Sequence, residues 1–303
     1  MQFAGNNLLS RQIYRDIPQP AVTEIVKSAL DGGVSWFDTA EAYGWGHSER
    51  LLSSALRELG VAPADGVIAT KWQPAARTAT SITRTFGKRL AALQGYPVTL
   101  HQIHDPYSSL SSIPRQLDAL GELRRDGKVK AVGVSNFNGR RLAAAHAHLA
   151  AQGIILASDQ VQVSLLHRTI ERDGTLDVAR RLGLTLIAYS PLRSGLLSGK
   201  FHERPELVAS VPRLRRAVGG LSKSGLARTE PLIRELRQIG AAHGVSPSVV
   251  ALSWVITFYR ETVVAIPGAS KPAQAADTGA AMDLELTERE LAKLDEVSCQ
   301  VQR

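Results

Sequence analysis

Short apolar or β-branched runs alternate with amphipathic stretches from one end of the chain to the other, and this rhythm limits the fold more than any other feature. The strand-like runs are VSWFDTA (34–40), GVIATK (66–71), VTLHQIH (98–104), VKAVGVSN (129–136), ASDQVQV (157–163), LTLIAYS (184–190) and TVVAIPG (262–268). Between them lie helical stretches at 20–31, 47–59, 80–93, 111–125, 138–151, 175–182 and 246–259. A strand that keeps returning through a helix builds a parallel sheet, and this many repeats in 303 residues predict one (β/α)8 TIM barrel domain over 1–303. Seven strands are legible, and an eighth should precede the helix that starts near Pro20. Only MQFAG stands there, so either the first strand is trimmed to its last residues or the start is placed too late.

Two segments break the repeat. Leu192 to Thr229 is rich in Gly, Ser and Arg, and a stretch of that length in a compact domain is functional or disordered. TEPLIRELRQIGAAHG then reads as a helix with Thr229 as N-cap and Gly244 at its end, and LTERELAKLDEV closes the chain outside the pattern.

Composition excludes several classes of function. No run of about 18 apolar residues appears, and MQFAGNNLLSRQ lacks the charged-then-apolar order of a signal peptide, so a soluble cytoplasmic protein without a membrane partner is expected. Cys299 is the only cysteine, which leaves no internal disulfide framework and no cysteine-rich metal site. The net charge of +8 is spread over helix faces such as RQLDALGELRRDGKVK, where acids are interleaved. The densest basic stretch, VPRLRRAVGGLSKSGLAR (211–228), carries no aromatic residue for base stacking, so an anionic cofactor or a surface loop fits it better than nucleic acid. HQIHD groups His101, His104 and Asp105, but strand side chains alternate and residues three apart face opposite ways, so no metal site is expected. Nothing in the sequence speaks to oligomeric state.

In a parallel barrel the active site is built at the C-terminal strand ends. Those ends carry Asp38 with Tyr43, Lys71, His104, Ser135 with Asn136, Gln160, and Tyr189 with Ser190. One acid after a strand is commonly an N-cap, and one strand-end lysine is commonly solvated. Polar groups from six strands at one pole point instead to a site.

The motifs FDTAEAYGWGHSERLL, ATK, LHQIHDP, GKVKAVGVSNF, DQVQVSLL, IAYSPLRSGLLSGK and VVAIPGASKPAQ, in this order, resemble the aldo-keto reductase superfamily over nearly the whole length. SDQVQVSLL and FAGNNLL look most like the branch that contains pyridoxal reductases. The resemblance implies an NADP(H)-dependent reduction of small-molecule carbonyls by a tetrad of Asp38, Tyr43, Lys71 and His104. The chemistry agrees: the carbonyl needs hydride at carbon and a proton at oxygen, and a phenol of pKa about 10 is a poor donor at neutral pH. Lys71 would stabilise the phenolate, Asp38 would hold Lys71 charged, and His104 would position the carbonyl oxygen.

The family binds nicotinamide without a Gly-rich Rossmann turn, and this chain has none after its first strand. By resemblance, Ser135, Asn136 and Gln160 hold the carboxamide, Tyr189 stacks on the ring, and the backbone from Ser190 through Leu192, Gly195 and Leu197 follows the pyrophosphate. The adenosine end is expected at GASKPAQAADTGA, from Gly268 through Gln274, with Ser270 and Lys271 receiving a 2′-phosphate ahead of the helix opened by Pro272. Gln274 stands where many members have Arg, Asp277 and Thr278 where most have Glu-Asn, and Tyr107 where an acid often follows the proline. Trp45 and Trp72 are expected to rim the carbonyl pocket and favour flat aldehydes. The alternative implied by the same resemblance is a non-catalytic, nicotinamide-binding redox sensor, as in potassium-channel β-subunits; four filled tetrad positions favour turnover.

Overall fold

The computed structural model describes Phe3 and residues 16–302. Seven strands form one parallel sheet in chain order: β1 (Trp36–Asp38), β2 (Val67–Trp72), β3 (Leu100–Ile103), β4 (Ala131–Ser135), β5 (Leu156–Gln162), β6 (Thr185–Tyr189) and β7 (Val263–Ile266). Each strand pairs with the next in sequence, and the sheet curls with helices outside it into a nearly closed TIM barrel. The expected first strand at MQFAG falls, Phe3 apart, outside the described residues. Phe3 is fully buried, and its N–H reaches Ser48 Oγ at 3.4 Å.

Side-chain alternation sorts the barrel interior into layers. Trp36, Ala69, Leu100 and Ile187 belong to a small apolar cluster low in the barrel. Two residues further on, the same faces of the same strands present Asp38, Lys71, Gln102 and Tyr189. A period of two therefore stacks a polar layer directly above an apolar one. Below it, a cavity of about 580 Å³ opens along Trp36, Leu100, Ala131, Ile187, Val264 and Met282, at the N-terminal strand ends and beside β7. The alternate strand residues, such as Phe37, Ile68 and Val132, turn outward into the main core beneath the helices. Where β4 meets β5 the register shifts at Gly133, and a Cβ there would lie 2.5 Å from Ser158 Oγ, so the approach requires glycine.

The helices follow their local signals. Pro20 opens Gln19–Asp31, Asn138 caps Gly139–Ala150 by accepting from the Arg141 N–H, and Ser246 with Pro247 opens Pro247–Phe258. The stretch expected as one helix at 80–93 divides into Thr80–Arg84 and Phe86–Ala92. Thr229 is not an N-cap. The helix runs Lys223–His243, capped by Ser222 and ended by Gly244 at φ 67°, with Thr229 buried inside and donating to Gly225 O. Pro231 imitates a first-turn proline, whereas the stop and cap lie earlier, at Gly220 and Ser222.

The excursion after β6 is folded. Short helical turns at Arg193–Ser198, Lys200–Glu203, Pro205–Ser210 and Arg213–Gly219 close on their own cluster of Leu196, Phe201 and Leu221. The C-terminal helix Glu288–Gln302 packs against Lys223–His243 and Pro247–Phe258, outside the repeat. Among the described residues no single helix is long and apolar enough to cross a membrane.

Candidate active site

β1 ends at Asp38, and the chain then turns through Tyr43 before a helix begins at His47. Gly44, Trp45 and Gly46 are all left-handed, with φ of 71°, 54° and 96°. Two glycines make that turn accessible, and Trp45 is held in it 59% exposed. Asp38 and Lys71 are buried on adjacent strands, and Lys71 Nζ donates to Asp38 Oδ1 and, at 2.8 Å, to Thr39 O. Asp38 Oδ2 accepts from Gln160 Nε2 at 2.9 Å and from Gln102 Nε2 at 3.3 Å. Burial lowers the pKa of the Lys71 ammonium, and the Asp38 carboxylate opposes that shift.

The Lys71 nitrogen lies 5.4 Å from the centre of the Tyr43 ring. Tyr43 also meets His104 edge-on, with ring centres 5.7 Å apart and planes at 79°. Burial, with help from the Lys71 charge, holds His104 down at about 4, so its imidazole is neutral at pH 7. His104 Nδ1 is buried with no hydrogen-bond partner among the described residues, so Nε2 is the nitrogen able to meet a ligand. His101 points the opposite way, against Phe86 at 5.3 Å, as strand alternation requires.

Behind this group sits an ionic quartet with three buried members and the partly exposed Arg77. Glu49, fully buried, accepts from Thr70 Oγ1 at 2.7 Å and faces Arg89 Nη1 at 3.1 Å. Arg89 Nη1 lies 3.9 Å from Glu41, whose other oxygen meets Arg77 at 2.7 Å and accepts the Gln73 N–H. Burial raises the Glu49 carboxyl, opposed by Arg89 and the Thr70 hydroxyl. The quartet ties the Tyr43 turn and the helix after it to β2 on either side of Lys71. Sequence reasoning missed it. HSER and GKRL look like ordinary helix polarity, and only the burial of Glu49 and Arg89 marks them.

The wall beside the tetrad comes from β4, β5 and β6. Ser135 Oγ donates to Gln160 O at 2.7 Å, Asn136 Nδ2 to Ser135 Oγ and His104 O, and Tyr189 OH to Asn136 Oδ1 at 3.0 Å. Asn136 is left-handed at φ 63°. Ser190, Arg193, Ser194 and Gly195 are left-handed too, at 52°, 47°, 56° and 85°, so the loop from Ser190 past Leu192 and Gly195 to Leu197 is tightly folded. Non-glycine residues there store strain of about 1–3 kcal/mol each, as ligand-clamping segments commonly do.

Beyond β7, Gly268, Ser270 and Lys271 are exposed, and nothing lies within 4 Å of where a Gly268 Cβ would stand. Gln274 Oε1 accepts from both the N–H and the hydroxyl of Ser270, at 2.8 and 3.1 Å. Lys271 has no ion-pair partner among the described residues. Asp277 is taken by Ser246 Oγ at 3.0 Å. A dinucleotide fits these residues: polar groups beside the tetrad, a glycine-containing tight loop, and an open segment with an unneutralised ammonium ahead of the helix Pro272–Asp283.

The structure therefore brings Asp38, Tyr43, Lys71 and His104 together and sets Ser135, Asn136, Gln160 and Tyr189 beside them. The segment from Gly268 to Gln274 stands apart, after β7. Trp72 does not rim the mouth. It is 1% exposed and donates from Nε1 to Ser81 Oγ, because it follows Lys71 and must face the other way. Trp45 and Tyr107, on the segments that follow β1 and β3, are exposed aromatics.

A model of the aldo/keto reductase family matches residues 2–298. An uncharacterized oxidoreductase of Mycobacterium tuberculosis is 36% identical over 269 residues, covering 88% of this chain and 78% of that protein. The chloroplastic pyridoxal reductase of Arabidopsis thaliana is 32% identical over 304 residues, covering 96% and 80%. The glycerol dehydrogenase AKR11B4 of Gluconobacter oxydans superposes with a TM-score of 0.78 at 26% identity, over 94% of this chain and 88% of that one. The chain belongs to the aldo/keto reductase family, whose members are carbonyl-reducing oxidoreductases that use nicotinamide cofactors.

Proposed function

We propose that the protein is a cytoplasmic, NADPH-dependent reductase of aldehyde or ketone carbonyls, with Tyr43 as proton donor. The observation that carries this reading is the fully buried Lys71 ammonium, paired with Asp38 and 5.4 Å from the Tyr43 ring. When bound, a nicotinamide cofactor would supply hydride to the carbonyl carbon. As negative charge develops on oxygen, the Tyr43 hydroxyl transfers its proton there, and the phenolate left behind is stabilised by Lys71. Asp38, fixed by two glutamine amides, opposes the pull of burial on the Lys71 ammonium. Neutral His104 donates from Nε2 to the carbonyl oxygen and holds it against Tyr43.

Ser135, Asn136 and Gln160 would hold the nicotinamide carboxamide, Tyr189 the ring face, and Ser190 to Leu197 the pyrophosphate. Lys271 and Ser270 would take the 2′-phosphate, with Ser270 exchanging its bond to Gln274 for one to phosphate. Exposed Trp45 favours flat aldehydes, in keeping with a pyridoxal reductase among the relatives. Oxidation of NADPH and of NADH, followed over a panel of aldehydes and ketones with purified protein, tests the reading. Steady turnover with NADPH preferred supports it; a single slow turnover with cofactor retained would make the protein a redox sensor instead.

A further inference from the structure

Tyr107 and Arg141 stand at the same pole as the tetrad. Tyr107 follows His104 by three residues, and Arg141 lies in the first turn of Gly139–Ala150, five residues past Asn136, whose side chain bonds His104 O. Tyr107 is 65% exposed, yet it is not loose. Asp105 Oδ1 accepts its N–H at 2.9 Å, and the guanidinium of Arg141 lies 4.8 Å over its ring while Nη1 donates to its hydroxyl at 3.0 Å. An arginine fixed in this way has given up its rotamer freedom before any ligand arrives. Its charge is not neutralised: no carboxylate among the described residues pairs with it. Asp105, two residues before Tyr107, spends its oxygens on Ser108 and the N–H groups of residues 107 and 108. Arg141 Nε and Nη2 make no hydrogen bond among the described residues, and together they form the side-on fork that matches the two oxygens of a carboxylate.

We propose that Arg141, braced on Tyr107, is a specificity-determining residue that receives a carboxylate carried by the substrate, so that the preferred substrates are aromatic aldehydes bearing an acid group. This rests on the carbonyl-reductase reading for its catalytic half and on the Arg141–Tyr107 geometry alone for its binding half. The aromatic faces of Tyr107 and Trp45 would flank the ring, and Arg141 would fix the end remote from the aldehyde.

The test compares 4-carboxybenzaldehyde with its neutral methyl ester in wild type, Arg141→Gln and Arg141→Lys. The wild type should favour the acid in kcat/KM, and Arg141→Gln should reduce the acid-to-ester ratio about tenfold, an effect expected for one partly exposed charge-assisted contact. Arg141→Lys should restore only part of it, because the ammonium keeps the charge without the fork. In parallel, benzoate binding is read by Trp fluorescence or by NMR, which needs no turnover. If Arg141→Gln leaves the ratio unchanged, or binds benzoate as tightly as wild type, the proposal is wrong. If neither aldehyde is reduced by any form, the carbonyl-reductase reading fails while the benzoate titration still decides this one.

Discussion

The tetrad at the ends of β1 to β3 and the segment Gly268–Gln274 after β7 differ in how far each is assembled before a ligand binds. At the tetrad, Lys71 is fully buried between Asp38 and Thr39, and two glutamines and an ionic quartet hold its surroundings. After β7, among the described residues, Ser270 hydrogen-bonds through its N–H and hydroxyl to Gln274 alone, and Lys271 projects into solvent without an ionic partner. The contrast matches what the proposed reaction would ask of each. Charge that develops during a reaction is stabilised best by groups that need no reorganisation, whereas recognition of a phosphate can be completed by the phosphate itself.

If the contrast is real, substitutions at the two places should differ in kind. Tyr43→Phe should lower carbonyl reduction by about 100- to 10,000-fold while leaving NADPH affinity close to wild type, measured by cofactor fluorescence. Lys71→Met should do comparable damage, and the double variant should lose far less than the product of the two, because they disable one unit. Wild-type turnover by Tyr43→Phe would erase the distinction. Arg89→Met tests the quartet: removing one member of a buried ionic group should cost about 3–5 kcal/mol of stability in urea melts, since Glu49 is left buried without its cation. A loss below about 1 kcal/mol would show that the quartet does not brace the tetrad.

The third expectation concerns acid. His101 and His104 are held at about 3 and about 4, against 6.5 when unfolded. Between those values the unfolded chain binds more protons, so stability rises with pH there and is lost as pH falls from about 6.5 toward about 4 for His104 and about 3 for His101. The slope is at most about 1.4 kcal/mol per pH unit for each histidine. His101→Asn should flatten the acid limb of the unfolding curve, and an unchanged limb would place the loss elsewhere. Smallest is Lys271→Ala, which should weaken NADPH about three- to tenfold and leave NADH nearly alone. Equal losses for both would mean that the phosphate sits elsewhere.

The sequence made the strands legible because each is a short apolar run, and the observed strands Val67–Trp72 and Leu156–Gln162 differ from the expected runs by about a residue at either end. Parallel strands place their C-terminal residues at one pole, which made the gathering of Asp38, Tyr43, Lys71 and His104 legible, whereas their reading as a tetrad came from the motif resemblance. The sequence also contained a signal that was overlooked: with Lys71 inward, alternation alone turns Trp72 outward, where it is found. Other features had no local signal. Glu41, Glu49, Arg77 and Arg89 are brought together by the sheet from three separate segments, and each looks solvated in its own neighbourhood. The brace between Tyr107 and Arg141 likewise joins residues 34 apart, and a lone tyrosine after a proline gave no reason to search for an arginine.

The quartet has a consequence for how this sequence can drift over generations. Glu41 and Glu49 both face Arg89, and Arg77 faces Glu41, so the effect of altering any one depends on what the other three are. A lineage that loses Arg89 strands Glu49 at once, and a second substitution arriving later must rescue a chain that has already lost much of a typical stability margin. Related barrels should therefore hold either the whole set of four or a wholly apolar replacement, with few intermediates surviving. The helix carrying Glu49 and the one carrying Arg89 are in this sense inherited as a pair, although 40 residues separate the two side chains along the chain.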